Sequence, residues 1–149
     1  MRRTAAICAA ILIGCAPADQ PADEPTTEEM PMAGISLADV AGVWTVRVLN
    51  EAGDSTLTTY ELNATAETMG WMITLQGRDP MAFPVTVDGD SIMSTVGPFE
   101  SVLRAGVMVT TESVLRLRDG MLTGSLIAHY TTTGPDSVLY GRLEGTRVR

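Results

Sequence analysis

Hydrophobic and polar residues alternate along most of the chain from Ile35 to Arg149. The segment Gly42 to Leu49, for example, places the apolar residues Trp44, Val46 and Val48 at every second position. Successive side chains of a strand point to opposite faces, so a period of two predicts half-buried β-strands. β-branched residues, which favour strands, are dense in the same region.

The alternation predicts eight or nine strands, at 42–49, 56–63, 71–76, 83–87, 91–96, 107–118, 122–130 and 137–147. Asp88-Gly89-Asp90 and Asp119-Gly120 are strong signals for hairpin turns, and Gly134-Pro135-Asp136 predicts another turn. The one helical turn we expect lies at 36–41, where Ser36 could cap it with Asp39 three residues later.

A meander of strands with no helix to cover its edges can protect them by closing on itself. We therefore expect an all-β domain, a single antiparallel up-and-down β-barrel of about eight strands. A two-sheet β-sandwich would alternate in the same way, and the periodicity does not separate the two architectures.

The first fifteen residues have a different pattern. Arg2 and Arg3 precede the apolar run Ala5 to Ile13, which is too short to cross a bilayer and has the length of a secretory signal core. The run ends in Leu12-Ile13-Gly14-Cys15, which resembles the lipobox of bacterial lipoproteins. The resemblance implies that residues 1–14 are a signal peptide and that Cys15 is lipidated. Several acyl chains on one residue make a stable membrane anchor.

Residues 15–34 read as a tether that links this anchor to the barrel domain at 35–149. They hold four of the eight prolines and five acidic residues without a basic one, a composition that predicts disorder. In enterobacterial lipoproteins an Asp after the lipidated Cys resembles an inner-membrane retention signal. Ala16 stands there in this chain, which favours the outer membrane of a bacterial envelope.

Charge and cysteine content exclude several classes of protein. Asp and Glu outnumber Arg 18 to 10 and give a net charge of −8, so the chain lacks the basic surface that a nucleic-acid binder needs. Cys8 lies in the signal peptide and Cys15 would be acylated, which leaves no disulfide. A single His and two Cys cannot supply a four-ligand zinc site, and we expect no metal or cofactor.

The residues also offer little for catalysis. His129 is the one His, and its parity places it on the outer wall. No Ser stands in a G-x-S-x-G turn, and the Asp88-Gly89-Asp90 turn lacks the further ligands of a calcium loop. We therefore expect a non-catalytic protein.

The inward parity contains four large aromatic residues, Trp44, Tyr60, Trp71 and Tyr130. A small barrel either fills with its side chains or holds one small ligand. These aromatics could line a pocket for an apolar ligand, or fill the core with their polar tips hydrogen-bonded. The volume of the barrel interior, compared with that of its side chains, decides between the two. Both interpretations stay open at this point.

Gly42-Val43-Trp44, at the start of the first strand, resembles the G-x-W of the calycins, the lipocalin and avidin group. The resemblance implies that Trp44 plugs one end of the barrel and that a basic residue of the last strand packs across it. Arg147 is the candidate, because it shares the parity of Leu139 and Leu143. The other lipocalin motifs and the biotin-site residues are not found.

Together these features predict an envelope lipoprotein whose barrel binds a small hydrophobic ligand. Its partners would be the lipid bilayer, through acylated Cys15, and that ligand. The alternative is an interaction or inhibitor module that binds an envelope protein through its outer face. Arg116 and Arg118 lie on that face and could bind a partner or an anion, although a solvated strand face is the simpler interpretation.

Overall fold

A computed structural model describes residues 34–148, and most of these residues lie in β-strands. A short helix precedes the first strand, and a 3₁₀ turn lies between the last two strands. The elements are α1 (Leu37–Val40), β1 (Gly42–Asn50), β2 (Thr56–Ala64), β3 (Trp71–Leu75), β4 (Met81–Phe83), β5 (Val85–Asp88), β6 (Ser91–Glu100), β7 (Met108–Arg118), β8 (Met121–Tyr130), η1 (Pro135–Ser137) and β9 (Val138–Arg147).

The strands form one sheet in the order β4-β3-β2-β1-β9-β8-β7-β6-β5, and every neighbouring pair is antiparallel. The first and last strands pair directly, with Trp44 of β1 opposite Arg147 of β9. The sheet therefore curls into a nearly closed up-and-down barrel, which confirms the predicted all-β barrel.

The barrel is open between β4 and β5, which are joined by Pro84 alone. We predicted one strand over 83–87, whereas the structure has two short ones that pair with different neighbours. Proline has no backbone N–H to give to a ladder, so a strand tends to break there. The next residue, Val85, donates its N–H to the carbonyl of Thr68 at 2.8 Å. This hydrogen bond from the β2–β3 loop covers part of the β5 edge.

Both predicted hairpin turns are present. Gly89, Asp119 and Gly120 have φ values of 55°, 52° and 77°, the left-handed conformation that tight hairpin turns require. The predicted side-chain cap of α1 is wrong. Ser36 lies at the N-cap position, but its hydroxyl makes no capping hydrogen bond.

The barrel has two different ends. At one end, the closed end, lie α1, the β2–β3 loop and the two tight hairpins. At the other, the open end, lie the loops β1–β2, β3–β4, β6–β7 and β8–β9. The core lies inside the barrel and is built from the inward parity of the strands, including Val46, Leu62, Ile92, Leu122 and Leu143.

Residues 31–149 form a compact unit, and all nine strands and the core lie within it. The unit thus contains the strand pairings and core contacts that stabilise the barrel. The predicted signal peptide at 1–14, the lipidation site Cys15 and most of the tether lie outside the described residues. Between residues 34 and 148, no helix has the length and apolar composition to span a membrane.

Candidate functional site

Trp44 fills the closed end of the barrel. It begins the inward parity of β1, directly after α1, and its side chain is fully buried. Its indole Nε1 donates a hydrogen bond of 2.8 Å to the carbonyl of Val40, the last residue of α1. The bond ties the helix to the end of the barrel and leaves the indole no free polar group.

Arg147 packs over Trp44. The central carbon of its guanidinium lies 4.3 Å from the centre of the indole ring, and two of its nitrogens donate to the carbonyls of Ala41 and Asp39 at 2.6 Å each. Gly42 makes room for this arrangement, with φ of 139° and a position where an added Cβ would lie 2.6 Å from the Arg147 Nη1. Arg147 and Trp44 thus have the contact expected from the resemblance.

Trp71 is also fully buried, at the start of β3. Its Nε1 donates to the carbonyl of Glu67 at 2.8 Å, and its ring meets the ring of Phe83 edge to face at 6.4 Å. Both tryptophans therefore satisfy their N–H groups with the backbone and pack as core residues. Neither lines the cavity described next.

A cavity of about 70 Å³ occupies the open-end half of the barrel. This is several times the space that one water molecule needs. Tyr60 and Tyr130 line it, so the structure brings two of the four predicted aromatic residues to one site. The other lining residues are Val48, Thr58, Leu62, Ile73, Leu75, Phe83, Ser94, Val96, Phe99, Ser101, Val102, Leu103, Val109, Thr111, Ser113, Leu115, Leu126, Ala128 and Leu139.

The cavity lining is mostly apolar, with hydroxyl groups on seven of its 21 residues, and no charged residue within 34–148 belongs to it. Tyr60 is one of the two tyrosines among the hydroxyl residues. Burial raises the pKa of its phenol above the ordinary value, because a phenolate in this interior would lose its hydration. The phenol therefore remains a neutral O–H group, able to donate one hydrogen bond to a molecule in the cavity.

Small hydroxyl residues on β6 and β7 face the same cavity. Ser94 and Ser113 are cross-strand partners, and their Oγ atoms lie 2.8 Å apart in a hydrogen bond. We did not single them out from the sequence. Their parity was a usable signal, because Ser94 lies between the inward residues Ile92 and Val96 and is thus a polar side chain on a buried face.

The β6–β7 loop, residues 101–107, forms one side of the cavity mouth. The Oγ of buried Ser101 accepts hydrogen bonds from the N–H groups of Leu103 and Arg104, at 3.0 and 3.1 Å. This turn presents Val102 and Leu103, which line the cavity and are 39% and 40% exposed. The mouth is therefore apolar at this loop.

Two arginines at the mouth have partners from the protein itself. The Arg104 guanidinium lies 3.9 Å from the centre of the Tyr130 ring and donates to the carbonyl of Asp136. The Arg78 guanidinium donates to the carbonyls of Glu100 and Ser101. These contacts hold the β6–β7 loop against the rest of the open end.

The remaining candidate residues lie on the outer wall. His129 is exposed, and its Nε2 lies 3.8 Å from the Glu112 carboxylate. Arg116 and Arg118 both pair with Asp90. A hydrogen bond from the Ser91 hydroxyl, together with these two guanidinium groups, holds the pKa of the Asp90 carboxyl below its ordinary value.

The outer face of β5 to β8 also has a shallow depression of about 380 Å³. Its most apolar side chains are Pro84, Met93, Val114 and Ile127, next to the carboxylate of Glu112. Across residues 34–148, no three side chains among His, Cys, Asp and Glu come together in a metal-binding group.

Comparison of the chain with protein-family models, with curated proteins and with solved structures finds no match in any of the three.

Proposed function

We propose that this protein is a lipid-anchored protein of the bacterial envelope whose barrel binds a small hydrophobic molecule without chemical conversion. The observation that carries the proposal is the cavity at the open end. Its apolar lining stabilises an apolar ligand by removing that ligand's surface from water, and its hydroxyls can orient the ligand. A calycin-like barrel is consistent with this function, since Trp44 and Arg147 close the opposite end.

The anchor supports the proposal from a separate direction. The sequence ending in Cys15 resembles a lipobox, and lipidation at Cys15 would hold the domain at a membrane surface. A tether of about 19 residues spans about 25 Å on average if it is flexible. The barrel domain would then stay close to a source of apolar molecules.

Ligand binding is tested by filling the cavity. Leu126 lines it, whereas the next residue, Ile127, lies on the outer face. In the unit 31–149, titrated with a neutral fluorescent naphthylamine, Leu126→Trp should weaken probe binding at least tenfold, and Ile127→Trp should leave it unchanged. Equal binding by both variants would show that the probe does not occupy the barrel interior.

The ligand's identity is accessible by native mass spectrometry. The barrel unit is exported without its lipid anchor and purified from the envelope fraction without detergent. Its mass is then measured under native conditions. An excess mass of a few hundred daltons that disappears on denaturation gives the class of the bound molecule. A bare mass, together with no binding of the neutral probe, would refute the proposed function.

The lipid anchor needs its own test. A Cys15→Ser variant should incorporate no labelled palmitate and should keep its first 14 residues, because lipidation precedes cleavage in proteins with a lipobox. Labelling equal to that of the parent chain would refute the assignment of Cys15.

The outer depression favours a second function, the binding of an envelope protein through the outer face. Met93 is more than a third exposed there, and Ile127 lies beside it. In this case Met93→Lys should abolish co-purification of a specific envelope partner, whereas the cavity variant Leu126→Trp should retain it. Unchanged co-purification with Met93→Lys would refute this function.

A further inference from the structure

We propose that the cavity selects an uncharged ligand that carries a hydrogen-bonding oxygen, such as a medium-chain alcohol or ketone, and rejects the corresponding carboxylate. The inference rests on the proposed function, because it names the chemical class of the ligand for the same cavity. The observation behind it is the combination of an uncharged lining with hydroxyl groups on two facing walls.

The two walls lie across the barrel from each other. Tyr60 is on β2, and the Ser94–Ser113 pair is on β6 and β7. Between β2 and β7 there are three strands on one side and four on the other, so they are opposite walls. All three hydroxyls border the same cavity, and a molecule inside it can reach either wall.

Each wall has hydrogen-bonding capacity left over. Within residues 34–148, Tyr60 has no hydrogen-bond partner for its hydroxyl, and desolvation is the one cause of its altered pKa. In the serine pair one hydroxyl donates to the other, so the accepting serine keeps its own proton for a further bond. A neutral ligand oxygen can accept from either wall, which stabilises these hydroxyls as well as the ligand.

A carboxylate has no comparable partner in this site. Taking an ionised group out of water is costly unless a cation or several hydrogen bonds compensate for the loss. No Arg or His within 34–148 lines the cavity, and the chain contains no Lys. At the mouth, Arg104 is stacked on Tyr130 and both Arg104 and Arg78 already donate to backbone carbonyls.

The test compares three ligands that each have eight carbon atoms. The unit 31–149 is titrated with 1-octanol, 2-octanone and octanoate at pH 7.5. Binding is measured by calorimetry and by the chemical-shift changes of the backbone amides. We expect the alcohol and the ketone to bind at least tenfold more tightly than octanoate. Tyr60→Phe, which keeps the ring, should weaken ketone binding about three- to tenfold, the effect of one hydrogen bond. Tyr140→Phe, on the exposed outer face, should have no effect.

The outcomes separate this inference from the proposed function. Octanoate binding as tightly as octanol would overturn the inference but leave the proposed function standing. If Tyr60→Phe and Ser113→Ala both bind 2-octanone like the parent, the hydroxyl assignment is wrong. If none of the three ligands binds, and the neutral naphthylamine does not bind either, both this inference and the proposed function are refuted.

Discussion

Replacing Arg147 with alanine tests whether the closed end is held together by this one side chain. The variant loses the contact with the Trp44 ring, which contributes about 0.5–1 kcal/mol at exposed sites and about 2 kcal/mol when desolvated. It also loses two charged hydrogen bonds to the carbonyls of Asp39 and Ala41. Because water can replace the guanidinium at those carbonyls, we expect a total loss of about 2 kcal/mol, below the sum of ideal values.

Equilibrium unfolding of the unit 31–149 in urea, followed by tryptophan fluorescence, measures this loss. A slope of about 1–3 kcal/mol per molar urea converts 2 kcal/mol into a midpoint shift of about 1 M. The matched control is Arg47→Ala, which breaks an exposed ion pair with Glu144 and should cost about 0–1 kcal/mol. The urea midpoint of Arg147→Lys should lie between those of the parent and Arg147→Ala, because an ammonium keeps the charge but lacks the planar set of donors of a guanidinium. Equal midpoints for Arg147→Ala and Arg47→Ala would refute the reasoning.

Three further predictions concern other parts of the barrel. Gly42→Ala should lower the free energy of unfolding by about 1–3 kcal/mol, and clearly more than Gly120→Ala does. Both glycines have positive φ, but only at Gly42 would the added Cβ collide with a side chain. Urea unfolding measures the two losses, and equal losses would contradict the prediction. The unfolded chain releases the phenol proton of Tyr60 near pH 10 and the native chain only at higher pH, so the free energy of unfolding should fall as pH rises above about 10. Tyr60→Phe should make that decline shallower in urea unfolding at pH 9 and 11, and an unaltered decline would show that this phenol is not buried. Because the native pKa of Asp90 is lowered, the stabilisation it provides is present above the ordinary carboxyl pKa of about 3.9 and is lost on acidification. Asp90→Asn should therefore flatten the acid side of the stability profile, measured as melting temperature against pH from 6 to 2, and a profile parallel to that of the parent would contradict this.

Much of the fold follows from local pattern. Strand positions, inward parity and the tight turns at Gly89 and at Asp119-Gly120 were predictable, because each depends on neighbouring residues and on backbone conformation. The break at Pro84 was also visible in the sequence, as a residue that cannot complete a strand ladder. We nevertheless predicted a single strand over 83–87, which runs through Pro84.

The candidate site was only half predictable. Trp44, Trp71, Tyr60 and Tyr130 share the inward parity, yet only the two tyrosines border the cavity. What separates them is height along the barrel axis and the contacts made across the interior. Those contacts join residues far apart in the chain, such as Arg104 and Tyr130, or Ser94 and Ser113.

The sequence by itself determined that this chain alternates as strands and turns where glycine or aspartate can adopt positive φ. The lipobox-like segment at its start stays a prediction. Only the tertiary structure decided that β1 meets β9 to curl the sheet into a barrel, and that its interior is filled at one end and hollow at the other. The physical reason is that alternation records which face a side chain occupies. Closure and empty volume depend instead on how distant strands pack, and inward glycines such as Gly145, where a Cβ would lie 3.0 Å from the Cβ of Leu122, set that packing only once the strands are in place.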